Sequence, residues 1–197
     1  MAAGHDGRGA WDLALTAVSA QTTAGFSTFP VDELDPFSKV VLIGSMAVGG
    51  SVGSSAGGIK LLRLIVLIRV VQLIILKTRT TPHAAVDMRI AGRQWSDHEL
   101  VGVLALTALF AGVVLISWLP FLWAGHAPLD ALFEVTSATG TVGLSSGITG
   151  ATLSPWLKGV LCLDMLFGRL EILPLLVLLA PRTWIGHRRE LQSAQAQ

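Results

Sequence analysis

The sequence predicts an all-α membrane protein made of tandem units, each a membrane span, a re-entrant pore loop and a second span, with the first unit lacking its opening span. Three observations carry that expectation. Of 197 residues, 52% are hydrophobic and only 14% charged, with a mean hydropathy of +0.65, whereas a soluble domain carries about 25% charge. One uninterrupted apolar run, Leu100 to Ala124, has roughly the length that crosses a bilayer at 1.5 Å per residue. The third is a stretch of sequence that occurs twice.

Two further apolar regions flank that run. Trp156 to Pro181 is of similar length but carries Lys158, Asp164, Arg169 and Glu171. Pro36 to Leu76 would reach roughly 60 Å as one helix, about twice a hydrocarbon core. It is interrupted by GGSVGSSAGGIK, Gly49–Lys60, too rich in Gly and Ser to stay helical. Such a break survives at membrane depth only where protein or water satisfies the freed backbone, so this loop is expected to line a cavity.

Polar segments set the topology. Lys77, Arg79, Arg89 and Arg93 lie in the stretch Lys77–His98, where Pro82 breaks any continuous helix, and Arg182, Arg188 and Arg189 lie in the tail. Cytoplasmic loops carry the excess of Lys and Arg, so both segments are expected inside and the acidic Asp32, Glu33 and Asp35 outside. Tyrosine is absent, while Trp11, Trp95, Trp118, Trp123, Trp156 and Trp184 fall near the ends of apolar runs. There they form either an interfacial belt or core filling. The net charge of +1 gives no basic field for nucleic acid, and the single Cys162 forms no internal disulfide. The first ten residues hold no long apolar stretch and are not expected to be a secretory signal.

The repeat aligns WDLALTAVSAQTTAGFS from Trp11 with LDALFEVTSATGTVGLS from Leu129. At an offset of 118 residues, Asp12 matches Asp130, Ser19 matches Ser137, Thr23 matches Thr141, Gly25 matches Gly143 and Ser27 matches Ser145. One inserted residue later, Pro36 matches Pro155, Lys39 matches Lys158, Met46 matches Met165 and Gly49 matches Gly168. Each copy reads as a helix of about ten residues, opening at an Asp N-cap, too short to span. A Thr/Gly turn follows, then a return helix starting near a Pro. That is the pattern of a pore loop in which backbone carbonyls replace an ion's hydration shell, with Gly giving the backbone angles that aim them. Leu100–Ala124 precedes the second copy as its outer span, and only eleven residues precede Asp12, hence the expected truncation.

Span, re-entrant loop and span, with TTAGFS (Thr22–Ser27) and SATGTVG (Ser137–Gly143), resemble the Trk/Ktr/HKT superfamily of potassium uptake transporters. The Gly-rich interruption and LCLDMLFGRLEILPLLVLL (Leu161–Leu179) are similar to that family's third and fourth repeats. The resemblance implies a pseudo-fourfold transporter of four repeats, of which residues 1–98 are a truncated third and 99–197 the fourth. It implies filter positions at Thr22, Thr23, Ala24 and Gly25, and at Gly140, Thr141, Val142 and Gly143, whose carbonyls hold K⁺. It implies a gating loop with Gly49, Gly50, Gly53, Gly57 and Gly58, and an arginine of the last helix, Arg169, that holds this loop and faces the ion path. It further implies plasma-membrane lipid as surroundings, the remaining repeats as partners, a homodimer, and a cytosolic nucleotide-binding regulatory subunit. No cofactor beyond the transported ion, potassium or sodium, is expected.

Read bottom-up, Arg169 is expensive inside a span and functional by default, or else a structural bridge to Asp164 or Glu171. Lys39 and Lys158 are expected to snorkel to the outer interface. Arg63 and Arg69 either line a vestibule or anchor near headgroups.

GLSSG (Gly143–Gly147) fits the nucleophile-elbow pattern, but that elbow needs a strand before the serine and a helix after it. GSSAGGIK lacks the strand and the Gly-Lys-Ser/Thr order of a P-loop. The histidines, His5, His83, His98, His126 and His187, are scattered without metal-ligand spacing. The chain is therefore not expected to be an enzyme, with serine hydrolysis the remote alternative. Two pore loops do not close a fourfold ring, which leaves a non-conducting piece that needs a partner chain as the nearer one.

Overall fold

The rest of the structure is arranged around a short helix near the middle of the second unit. The computed structural model describes residues 7–51, 54, 56–79, 89–90, 93–94 and 97–169. Gly53, Trp95, Glu171, Trp184 and the arginines of the tail lie outside these. Six α-helices occur among the described residues: α1 Gly7–Gln21, α2 Pro36–Ala47, α3 Leu61–Arg79, α4 Asp97–Trp123, α5 Pro128–Thr139 and α6 Pro155–Arg169. Among the described residues the strands are a two-residue antiparallel pair in the polar stretch, β1 Arg89–Ile90 with β2 Arg93–Gln94.

Helix α5 contacts α2, α4 and α6, and its residues from Phe133 to Thr139 are all buried. Phe121 of α4, Ala131, Val135 and Ala138 of α5, and Leu157 and Leu161 of α6 form one apolar cluster. A second joins the two sequence units: Ala20 of α1, Leu42 and Met46 of α2, and Phe133 of α5 meet Val142 and Leu144. Val66 of α3 and Val103 of α4 make a third. Asp164 of α6 accepts a 2.5 Å hydrogen bond from Ser117 of α4, which satisfies one oxygen of a carboxylate that is buried among helices.

Segment Glu99–Trp123 of α4, whose most apolar stretch has a mean hydropathy of 2.6, is the one described helix long and apolar enough to cross a membrane. At 19 residues α3 is long but carries Arg63, Arg69, Lys77 and Arg79. The apolar stretch Pro36–Leu76 is interrupted as expected: α2 stops at Ala47 and helix resumes at Leu61, the Gly/Ser run between them forbidding continuity. At one end of the bundle Trp123 and Trp156 meet edge to face with ring centroids 6.0 Å apart. Trp118 instead packs against the α5 cluster and donates to Pro128 O at 2.9 Å.

Asp35 caps α2: its Oδ2 accepts from Ser38 N–H (3.1 Å) and its Oδ1 from Ser38 Oγ (2.7 Å), with Pro36 at the first helical position. The Ser38 hydroxyl and then its amide hold this exposed carboxyl below its ordinary value. The expected Asp12 and Asp130 caps are not caps. Helix α1 already runs from Gly7, and α5 starts at Pro128 after Ala127, because proline's fixed φ starts the helix two residues earlier. Asp12 instead accepts from Thr28 Oγ1 at 2.9 Å. Asp130 accepts from Lys39 Nζ at 2.7 Å, and Lys39 is only 7% exposed. Lys39 therefore does not snorkel; it bridges the two units, because the partner carboxylate lies within reach and lowers the cost of burying its ammonium.

Candidate functional site

Helices α1 and α5 end alike. After α1, Thr22 N–H donates to Val18 O (2.8 Å), Thr23 N–H to Ala20 O (3.3 Å) and Ala24 N–H to Ser19 O (2.9 Å). After α5, Gly140 N–H donates to Thr136 O (2.7 Å), Thr141 N–H to Ala138 O (3.0 Å) and Val142 N–H to Ser137 O (2.9 Å). This is the Schellman stop, which needs one left-handed residue just past the helix. Thr23 (φ 55°) and Thr141 (φ 54°) occupy it. Glycine is the usual occupant, and a β-branched residue there costs about 1–2 kcal/mol. Two residues further on, Gly25 (φ 73°) and Gly143 (φ 93°) are left-handed again, now at no steric cost.

Amides in these turns are used inward. Phe26 N–H donates to Ser19 Oγ (2.7 Å) and Gly143 N–H to Ser137 Oγ (3.2 Å). Among the described residues, no hydrogen bond ends on the carbonyl oxygens of Thr22–Gly25 or Gly140–Gly143. Two short backbone stretches thus present unused acceptors, an arrangement suited to coordinating a cation and of no evident use to the fold. The turns are also adjacent. Gly25 Cα lies so close to the Val142 carbonyl oxygen that a side-chain carbon there would collide with it.

The Gly-rich segment forms a pinned loop. Val48 and Ile59 make a parallel bridge, with Gly49 N–H donating to Ile59 O (2.9 Å), Ile59 N–H to Ala47 O (2.9 Å) and Leu61 N–H to Gly50 O (3.1 Å). Gly49 backs directly onto the Gly57 carbonyl, and a Cβ at Gly57 would come 2.5 Å from Gly140 O and 2.7 Å from Thr141 Oγ1. The loop therefore lies against the second turn, and glycine at 57 is what permits the approach. Gly58 (φ 77°) sits over the Met46 and Ala47 carbonyls, and Gly50 is beside Ser54. Gln21, the last residue of α1, donates through Nε2 to Val48 O (2.9 Å) and accepts from Ser45 Oγ (3.1 Å), joining the first turn to the loop's start.

Arg169, the last described residue of α6, lines an open groove of about 350 Å³ with Ser137, Thr141, Val142, Gly143 and Met165. Its neighbour Gly168 packs directly onto the Thr139 carbonyl, which fixes this part of α6 against the second turn. Asp164, one of the partners expected for Arg169, is bonded to Ser117 instead.

The sequence reading did not single out Glu134. It is 4% exposed and accepts from Ser145 Oγ (2.6 Å), Ser146 N–H (2.8 Å), Ser146 Oγ (3.2 Å) and Thr149 Oγ1 (2.6 Å). All these donors lie on the loop leaving Gly143. A carboxylate in the middle of the otherwise apolar and hydroxyl-bearing stretch Ala131–Thr139 was the available signal. Ser145, the serine of the elbow-like GLSSG, thus donates to a carboxylate from a loop that follows a helix.

A family model described as cation transport protein TrkH matches residues 4–184. The chain is 32% identical over 185 residues to the Trk system potassium uptake protein TrkH of Salmonella typhimurium, covering 88% of this chain and 38% of that protein. It is 33% identical over 177 residues to an uncharacterised cation transporter of Methanocaldococcus jannaschii, covering 86% and 36% respectively. The crystal structure of the potassium transporter TrkH from Vibrio parahaemolyticus superposes with a TM-score of 0.79 at 30% identity, covering 92% of this chain and 39% of that one. The chain thus spans under two fifths of the length of these relatives.

Proposed function

This chain belongs to the TrkH family of cation transport proteins, and from that premise we propose that it forms one side of a potassium-conducting pore in a cell membrane. The observation that carries the reading is the pair of abutting turns, Thr22–Gly25 and Gly140–Gly143, whose carbonyl oxygens accept no hydrogen bond among the described residues. Such oxygens replace water around a cation. Two further units of the same kind complete the ring, this chain contributing the third and fourth. The loop with Gly49, Gly50, Gly53, Gly57 and Gly58 gates the path, and Arg169 sets a positive charge beside it. An inside-negative potential then drives uptake by about 2.3 kcal/mol per charge per 100 mV.

A hybrid in which this chain replaces the matched part of the Escherichia coli Trk system potassium uptake protein TrkH tests the reading. The hybrid should restore growth of a potassium-uptake-deficient cell at low K⁺, and Gly143→Trp should abolish the rescue. Undiminished uptake by the Trp variant overturns the filter assignment. A hybrid that inserts but never conducts supports the reading of a non-conducting piece.

The same reading places the C-terminal end in the cytoplasm. It makes the assembled transporter a dimer served by a cytosolic nucleotide-binding subunit, which co-purification with the hybrid would detect.

A further inference from the structure

Helix α5 holds the second turn with one face. Ser137 takes the Gly143 amide, and Glu134, one helical turn earlier, takes four bonds from Ser145, Ser146 and Thr149. In every one of them the carboxyl oxygen accepts. Bonds to an ionised acceptor are short and about twice as strong as neutral ones, and a buried carboxylate is tolerable only when so paired.

Among the described residues, the first unit has no such buried anchor. Its residue at the matching offset is Thr16, whose hydroxyl turns back to Asp12 O at 2.9 Å within α1. The loop after Gly25 is held by an exposed bond from Thr28 Oγ1 to Asp12 Oδ1 (2.9 Å) and by Ser27 Oγ to Phe29 O (2.7 Å). Two turns of like backbone are therefore braced unequally: one from inside by a buried carboxylate that takes four bonds, the other at the surface by the Asp12 carboxylate, which takes one from Thr28.

We infer that Glu134 is a specificity-determining positioning residue. It holds the loop at 145–149 in one conformation and so fixes the spacing of the carbonyl oxygens at Gly140–Gly143, on which discrimination between K⁺ and Na⁺ depends. The inference rests on the filter reading above. Glu134 touches no ion; it acts through the loop it binds. Glu134→Gln keeps the shape but removes the charge and turns the oxygen facing Thr149 into an NH₂ donor, so the bonds from Ser145 and Ser146 become neutral ones and the contact with Thr149 survives only with its hydroxyl reversed. Thr149→Val removes the same loop's bond to Oε2 from the other side.

In the hybrid described above, Rb⁺ and Na⁺ uptake are measured for the parent and for Glu134→Gln, Thr149→Val, their combination, and Thr16→Val as the first-unit control. The Rb⁺-to-Na⁺ ratio should fall about tenfold in Glu134→Gln, the fold-change that replacing charged-acceptor bonds by neutral ones corresponds to. The double variant should be no worse than the worse single, since both remove one network, and Thr16→Val should keep the parent ratio. Amide exchange on the same purified hybrid should quicken about tenfold at residues 143–149 in Glu134→Gln, with α6 unchanged.

A parent hybrid that carries neither ion overturns both readings. A selective parent whose Glu134→Gln variant keeps both ratio and exchange overturns this inference and leaves the filter standing. Faster exchange with an unchanged ratio reduces Glu134 to a structural tie and overturns its role in specificity.

Discussion

The two turn glycines match each other in sequence, yet alanine should affect them unequally. Both have left-handed backbones, φ 73° at Gly25 and 93° at Gly143, so alanine costs about 1–2 kcal/mol at either from backbone strain alone. At Gly143 nothing lies within 4 Å of the added carbon, whereas at Gly25 it meets the Val142 carbonyl oxygen and the Gly143 Cα, both backbone. A backbone atom cannot rotate away, so the two turns must separate, which adds an overpacking cost of about 1–3 kcal/mol. Gly25→Ala should thus destabilise by about 2–5 kcal/mol and Gly143→Ala by about 1–2. Thermal unfolding of purified hybrids in detergent should put Gly25→Ala below Gly143→Ala. Equal melting points, or the reverse order, would refute the abutment of the turns and with it the shared ion path.

Other consequences follow from single contacts. Lys39→Met leaves Asp130 without its 2.7 Å partner; because Asp130 is partly exposed, the loss should be about 1–3 kcal/mol, read by the same melt, and the swap Lys39→Asp with Asp130→Lys should recover part of it. Gly168→Ala forces a carbon onto the Thr139 carbonyl, while Gly159 on the same helix has open space around it. The first should therefore unfold or misinsert the protein, and the second should raise stability by about 0.5–1 kcal/mol. Asp35→Ala removes the cap of α2 and should lower the melting point at neutral pH. Since Ser38 holds the folded carboxyl below its ordinary value of 3.8, the cap's contribution is full above that pH and is lost as the pH falls through the lower folded value. The difference between wild type and Asp35→Ala should accordingly vanish in acid.

Much of the architecture was legible from local pattern. The long apolar run became α4, the Gly/Ser stretch interrupted the helix where expected, and each Thr/Gly signature became a turn past a short helix. These features depend on propensities over a few residues, which the chain states directly. Helix starts were misread at Asp12 and Asp130 because an aspartate that can cap a helix can equally receive a distant lysine or a nearby hydroxyl, and only the fold decides which donor arrives. The roles of Lys39 and Asp164 were obscured for the same reason: their partners are 91 and 47 residues away.

What the sequence determined by itself was its solvent and its grammar: an apolar composition, a twice-written turn motif and one breaker-rich loop, each set by the bonding and conformational limits of neighbouring residues. Tertiary structure alone decided that the Gly25 turn touches the Val142 carbonyl, that Gly57 reaches Gly140, and that Glu134 gathers the loop beyond Gly143. Those contacts depend on how helices pack in three dimensions, and packing joins residues that no local pattern links.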